Sequence, residues 1–553
     1  MSRKHKKKRK ASAREAVMKL NLDELAAIVD KAAPAVGEDG ASKLKCAIET
    51  LAFLKAEWQA KNHSIKRLLA MLFGERTEKT SKVLGEASSA EGPDTSAPAN
   101  ESTSNTGASS KRKGHGRNGV AALTGAERVK VAHATLSAGD ACPDPTCEGK
   151  VYPMAEPKLR VRFTGAAPIS AAVYECARLR CNLCEEIFTA SAPVGVGDQK
   201  YDATAAAMIA MLRFGVGLPH PRIEKLQAGF GITLPSSTQW DILADAADEA
   251  EPVFLELIRQ GAQAEVFFQD DTWMRILQLT PEQRAAALGE DISERRTGVF
   301  TTGLVSVRES VRVALFFTGA RHAGENFEQL LKRRAAQLPA PIQMCDASAN
   351  NTAGVFETLL ANCNAHCRRQ FVELAESFPE EVRFVLEAFR EVYKIDAEAR
   401  AAQLNAKERL KLHQEKSAPW MKGLKSWVKR HLKDGRIEEN SALGSAAAYL
   451  QEHWGPLSLF LRVEGAPLDN SLCERALKRM ILYRKNSMFY RTLNGARVGD
   501  IFTSLIHTAE LNGVQAFEYL VAVLQHAKAS GLHPEHWMPW TYQQTLARMQ
   551  APA

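Results

Sequence analysis

The spacing of apolar side chains changes along the 553 residues, and each change predicts a different kind of element. Residues 11–40 offer one short helical face through Leu20, Leu22, Leu25, Ile28 and Val29. From Ser42 to Phe73 the pattern strengthens. Leu44, Leu51, Trp58, Ile65 and Leu72 recur every seven residues, with Ile48 and Leu69 on the intervening seam and Lys55 and Asn62 interrupting it. That period suits either a coiled coil, and so a homodimer contact, or an amphipathic helix packed on its own chain. Gly74 stops the helix. Residues 86–110 hold almost no large apolar side chains and read as a flexible linker. Alternation at Leu159, Val161 and Phe163, and again near Ala171–Tyr174, predicts short strands. Beyond Asp202 the pattern turns helical. One helix covers Ala203–Phe214 and closes at Gly215 and Gly217. A second runs from about Pro221 to Ala228, and a third starts near Gln239-Trp240 behind Ser236, Ser237 and Thr238. This order suits a helix-turn-helix or plain helical packing.

The pattern then switches to strands. Ala264–Gln269 is an apolar run ending in Asp270-Asp271-Thr272. Gly303–Val307 and Val311–Phe317 follow, then a helix over Phe327–Arg333, then Pro341–Met344 ending in Cys345-Asp346. The class is α/β with a mixed sheet. If the first and fourth strands are neighbours, Asp270 and Asp346 face each other. Residues 350–460 read as mostly helical, with a basic stretch over Lys422–Lys433 that either lies along DNA or is a solvated face. Cys363, His366 and Cys367 share one helical face and read as core packing. A last helix follows Asp469, a good N-cap, with Leu472, Ala476, Leu477 and Met480 at helical spacing. It carries one acid, Glu474, among Arg475, Lys478, Arg479, Arg484 and Lys485, followed by Asn486. An acid among bases suits a place where a metal meets a phosphate, or an ordinary surface ion pair.

Composition narrows the class. With 45% apolar and 25% charged residues the chain is of ordinary soluble type, long enough for several domains. No uninterrupted apolar run reaches roughly 18 residues, so no membrane span is expected. The net charge of +8 is concentrated in Arg3, Lys4, Lys6, Lys7, Lys8, Arg9 and Lys10. Such an arm either binds nucleic acid by counterion release or solubilises the chain. No apolar core follows it, so it is not an export signal, and a cytoplasmic, nucleoid-associated protein is expected. In that reducing compartment the ten cysteines point to metal rather than disulfides. Cys142, Cys147, Cys181 and Cys184 form two close pairs suited to structural zinc in a ribbon of short strands, with Cys176 a spare nearby.

These residues together resemble the transposases of the bacterial insertion-sequence family IS66. The landmarks run from Leu72-Phe73-Gly74-Glu75-Arg76-Thr77-Glu78-Lys79 through Gly114-His115-Gly116-Arg117, the cysteine pairs and Lys200-Tyr201-Asp202. They continue with Gly217-Leu218-Pro219 and Arg222, Ser237-Thr238-Gln239-Trp240, Asp270-Asp271-Thr272 and His366-Cys367-Arg368-Arg369-Gln370-Phe371. The last are Asp469-Asn470 with Glu474-Arg475, Arg484-Lys485-Asn486 and Asn494-Gly495.

The resemblance implies a ribonuclease-H-like catalytic domain whose acids are Asp270, Asp346 and Glu474. They would hold two Mg²⁺ or Mn²⁺ ions about 3.5–4 Å apart for DNA cleavage and strand transfer. Arg475, Lys478, Arg479, Arg484, Lys485 and Asn486 would contact DNA, and accessory proteins of the element are further candidate partners. The chain departs from the family's usual residues at Asp271 (usually Glu), Trp273 (Pro), Ala347 (Gly), Ser471 (Asn) and Ser487 (Trp). Asp271 therefore competes with Asp270 for the first role. A nuclease that cuts without joining and a catalytically inactive DNA binder are the alternatives. The expected order is an arm and coiled-coil helix (1–85), a linker (86–119), a zinc ribbon (120–200) and a helix-turn-helix-like region (201–260). The catalytic domain (261–510) follows, with a helical insertion at about 372–460, and then a helical tail (511–553).

Overall fold

The computed structural model describes residues 199–550 apart from Ala353, residues 166–180 and 187–191, Pro193, and scattered positions between 28 and 50 and between 135 and 152. The basic arm, the heptad positions from Leu51 to Leu72, and Cys142, Cys147, Cys181 and Cys184 lie outside the described residues. The chain divides into two compact units, residues 1–88 with 169–553, and residues 89–168. In the smaller unit Ala141 and Lys150 form an antiparallel bridge, and the Gly139 N–H donates to the Val151 carbonyl at 2.9 Å. In the larger unit, β1 (Arg178–Arg180) and β2 (Ile187–Thr189) pair antiparallel on either side of the second cysteine pair in sequence. Among the described residues no helix is long and apolar enough to cross a membrane.

Helix α1 (Ala203–Ala210) starts where Asp202 Oδ1 accepts the Ala205 N–H at 3.0 Å, and it widens into a π-type turn over Met211–Gly215. Gly217, at φ +84°, lets the chain leave. Helix α2 (His220–Ala228) has proline in its first turn, where the missing N–H costs nothing. Helix α3 (Ser236–Gly261) begins three residues before the expected start, with Pro235 at the cap position. Its hydroxyls do not cap it. The Ser236 Oγ–H and N–H both donate to Glu224 Oε2, at 2.6 and 3.0 Å, and tie α2 to α3. Leu243, Ala246, Ala247, Ala250, Val253 and Leu257 make its core-facing stripe. Its open face carries Asp241, Asp245, Asp248 and Glu249.

The five-stranded sheet runs in the order β5-β4-β3-β6-β7. Strands β3 (Val266–Trp273), β4 (Phe300–Arg308) and β5 (Val311–Gly319) form an antiparallel meander. Between β3 and β4 stand α4 (Pro281–Leu288) and α5 (Glu290–Arg295). Helix α6 (Ala323–Leu331) leads to β6 (Ile342–Cys345), which lies parallel to β3, so the expected first and fourth strands are neighbours. The fifth strand, β7 (Leu359–Asn362), corrects the expectation of a mostly helical stretch from residue 350. Its burial passes from exposed to buried along Leu359–Asn362 and does not alternate.

The insertion follows as α7 (Asn364–Val372), α8 (Pro379–Ala401), α9 (Ala406–Leu412), α10 (Ala418–Lys433) and α11 (Ala442–Glu452). Val385, Leu386 and Phe389 of α8 are buried, as are Met421, Leu424 and Val428 of α10. Each such side chain contributes about 1.5–3 kcal/mol of apolar burial. Lys422, Lys425, Lys429, Arg430 and Lys433 stay exposed on α10.

Helix α12 (Ser471–Ser487) then returns to the sheet, followed by α13 (Leu493–Leu511) and α14 (Ala516–Gln525). Helix α13 and the residue after it complete the outer edge of β5. The Thr318, Phe316 and Ala314 N–H groups donate to Asp500 Oδ2, Ser504 Oγ and Thr508 Oγ1, at 2.6, 3.0 and 3.0 Å. The Arg312 N–H donates to Asn512 Oδ1 at 3.1 Å, and Asn512 Nδ2 donates back to the Arg312 carbonyl at 2.7 Å. Four residues of helix rise about 6.0 Å and two of strand about 6.6 Å, so a polar residue every fourth position keeps step with alternate strand residues.

Candidate active site

Strand β3 outlasts β6. Their pairing includes Phe268↔Met344 and stops there. Continuing that register by two residues sets Asp270 opposite Asp346, on the same face of neighbouring strands about 4.8 Å apart. Asn351, in the short turn after β6, joins them. Its Nδ2 donates to Asp346 Oδ1 at 2.6 Å and reaches Asp270 Oδ1 at 3.4 Å. Its carbonyl accepts from Gln343 Nε2 at 2.8 Å and from Gln269 Nε2. Buried glutamines on both strands thus fix the residue that spans the two acids.

The third acid comes from α12. Gly303 pairs with Asp270 across β3 and β4. A Cβ at Gly303 would meet Leu477 Cδ2 at 2.8 Å, so only bare backbone lets α12 settle there. Cys473 Sγ donates to the Gly303 carbonyl at 3.2 Å. The cap position belongs to Asn470 rather than to the expected Asp469. Asn470 Nδ2 donates to the Gln269 carbonyl at 2.9 Å, one residue from Asp270, while Asp469 Oδ1 accepts the Ser471 N–H at 3.0 Å. Glu474 therefore enters in the first turn of a helix pinned to the backbone beside Asp270.

The two adjacent acids of β3 part company. Asp271 Oδ2 lies 2.8 Å from His322 Nδ1 and 3.4 Å from the Ala323 N–H, at the start of α6. Asp270 stays with Asp346. Burial first, then the Asp346 carboxylate, pushes the Asp270 carboxyl up to about 7, with Asp271 and Glu474 adding to the repulsion. This crowding of carboxylates is what a divalent cation relieves. Glu474 Oε1 is buried without a hydrogen-bond partner, and so is His366 Nδ1. The ligand atoms of Cys363, His366 and Glu474 all lie within 4.8 Å of one another. The chemistry of these donors fits a divalent cation.

The basic residues of α12 divide. Arg475, Lys478 and Lys485 are exposed. Arg479 pairs with Glu510. Arg484 Nη1 donates to Thr272 Oγ1 at 2.9 Å and to the Trp273 carbonyl, and its guanidinium stacks 4.5 Å from the centre of the Trp273 ring. Asn486 Nδ2 donates to the Gly217 carbonyl at 3.1 Å. Asn351 and His366 were not singled out as site residues from sequence. Asn351 sits in a turn without periodicity. The sequence reads His366 as core with Cys363 and Cys367, yet only the two cysteines are fully buried, and 28% of the His366 side chain is exposed.

The profile described as "Transposase IS66 family" matches residues 199–498, more than half of the chain, and takes in all three acids. The chain is 28% identical over 386 residues to the "Uncharacterized protein y4jD" of Sinorhizobium fredii (strain NBRC 101917 / NGR234), covering 66% of this chain and 71% of that one. It is 24% identical over 399 residues to the "Uncharacterized protein y4hP" of the same organism, covering 67% and 68%. No solved structure matches. The chain belongs to the IS66 family of transposases.

Proposed function

We propose that this transposase cuts and joins DNA strands at the ends of its element, with Asp270, Asp346 and Glu474 as its metal-binding acids and a ribonuclease-H-like sheet as their platform. The observation that carries the reading is the shared Asn351 amide between Asp270 and Asp346, beside a helix that starts on the β3 backbone and brings Glu474. The sheet order β5-β4-β3-β6-β7, a meander followed by two parallel strands, agrees with it. Mg²⁺ or Mn²⁺ held by these acids would sharpen an attacking water or 3′-hydroxyl and neutralise the leaving oxygen. Asn351 keeps two carboxylate oxygens converged. Arg475, Lys478 and Lys485, open on the helix that carries Glu474, would hold flanking phosphates. Arg484 braces the end of β3 and presents Trp273, 58% exposed, at the rim.

The test is a strand-transfer assay on the cognate ends with Mg²⁺ or Mn²⁺. Asp270→Asn, Asp346→Asn and Glu474→Gln should each lower joining about 100-fold or more, the scale of losing one charge-stabilising group. Asp271→Asn should act mainly through stability, because that carboxylate holds the start of α6. Joining that survives any of the first three changes would overturn the assignment. DNA binding without metal-dependent cutting would favour an inactive binder.

A further inference from the structure

We propose that His366 supplies a nitrogen ligand to the divalent ion held by Glu474, making the site a mixed carboxylate–imidazole centre rather than an all-carboxylate one. The inference rests on the reading of Asp270, Asp346 and Glu474 as metal-binding acids.

Two atoms carry it. His366 Nδ1 and Glu474 Oε1 face each other at 3.6 Å, too far for a hydrogen bond, and both are shielded from solvent without a hydrogen-bond partner. Buried polar atoms are rarely left this way. Two donors on one octahedral ion at about 2.1 Å stand about 3.0 Å apart when adjacent and about 4.2 Å when opposite, so a gap of this size suits one cation between them.

The juxtaposition is built from both sides. Residues 363–366 and 468–474 are far apart in sequence but bolted together. The Asn364 N–H donates to the Leu468 carbonyl at 3.1 Å, and Asn364 Nδ2 donates to the Leu468 and Leu457 carbonyls, each at 3.0 Å. The Asn470 N–H donates to Cys363 Sγ at 3.3 Å. The first turn of α7 is therefore fixed against the first turn of α12, as donors that must meet on one ion require. Cys363 is close but already accepts the Asn470 N–H and is fully buried in the core, so it positions α7 and leaves the coordination to His366 and Glu474. Imidazole favours Mn²⁺ and later divalent metals over Mg²⁺, which takes oxygen. The chemistry therefore sets metal preference at this one position.

The experiment uses the full-length chain, metal-free, titrated with Mn²⁺ alone and read by electron paramagnetic resonance. Electron spin-echo modulation from a coupled ¹⁴N nucleus is expected in the wild type and absent from both His366→Ala and His366→Gln. Mn²⁺ affinity should fall about tenfold or more in these variants, at least the loss that follows removal of an outer-sphere partner, with a smaller loss for Mg²⁺. Circular dichroism of both variants checks the fold, and His366→Gln serves if His366→Ala is unfolded. Modulation that persists in the variants, or Mn²⁺ bound without nitrogen coupling in the wild type, overturns the histidine ligand and leaves the carboxylate reading standing. Mn²⁺ binding equal in wild type and Glu474→Gln, or absent from the wild type, overturns the carboxylate reading and the inference with it.

Discussion

At the scale of single residues, the site depends as much on what is missing as on what is present. Gly303 has no side chain where α12 meets the sheet, and a Cβ there would lie 2.8 Å from Leu477. Gly303→Val should therefore cost about 1–3 kcal/mol through overpacking, seen as a lowered Tm. It should also cost about 100-fold in strand transfer, because a displacement of about 1 Å at a reacting centre has that effect. Gly319→Ala, in β5 with nothing within 4 Å of the added methyl, is the control and should leave both nearly unchanged. A Gly303→Val chain with full activity would remove the argument that α12 is seated by this glycine. Asp270, Asp346 and Glu474 stand out as candidates in the sequence because two of them close apolar runs and the third stands alone among bases. The choice between Asp270 and Asp271 was not legible, because neighbours on a strand differ only in the face they use, and that is set by pairing with β4 and β6. Asn351 and His366 were hidden for a related reason: each acquires its role from a partner remote in sequence.

At the scale of elements, strands β3, β4, β5 and β6, declared by apolar runs, lie close to where the pattern put them. The four-residue β7 was not so declared, since its place comes from pairing with β6 rather than from its own composition. The sequence places the start of helix α3 near Gln239-Trp240 but does not show its length. It is 26 residues long, because its apolar stripe continues far beyond the Ser-Thr cluster that marked its start.

The junction of α2 and α3 offers a pH test. His220 Nδ1 sits 3.0 Å from Gln239 Oε1, and burial, aided by the Arg213 guanidinium, holds the ring down at about 4. An unfolded histidine takes its proton near 6.5, so acid favours the unfolded chain across this window. The stability that the neutral ring brings is complete above about 6.5 and is lost as pH falls towards about 4. The Tm of the wild type should fall more steeply over that range than that of His220→Asn, measured by differential scanning fluorimetry. Parallel curves would remove His220 from the account.

At the scale of the whole molecule, charge is distributed with a sign. The exposed bases of α10 and α12 contrast with the acidic open face of α3. DNA affinity should therefore fall with salt, and Arg475→Ala, Lys478→Ala and Lys485→Ala should each reduce the slope of log affinity against log salt by about one. Arg479→Ala should change it less, because Arg479 is already paired with Glu510. Fluorescence anisotropy on an element-end duplex over a salt series decides this; equal effects from all four would mean that the Glu510 pair does not hold in the complex. The global plan, an α/β sheet followed by a helical segment before α12, is legible from the switch in period and back. What encloses the sheet was not, because the polar series Asp500, Ser504, Thr508 and Asn512 looks unremarkable until β5 lies beside it.

That series bears on how copies of the chain can meet. A free strand edge is a template for another strand, and it invites both swapped dimers and fibrous aggregates. Here a helix occupies the template with side chains, and one of them, Asp500, accepts from both the N–H and the hydroxyl of Thr318, bonds that an incoming backbone would have to displace. Copies of the chain brought close together thus meet no sticky border along β5. Any contact between copies has to use surfaces other than that margin of the sheet, and the protein can be concentrated without its sheets fusing there.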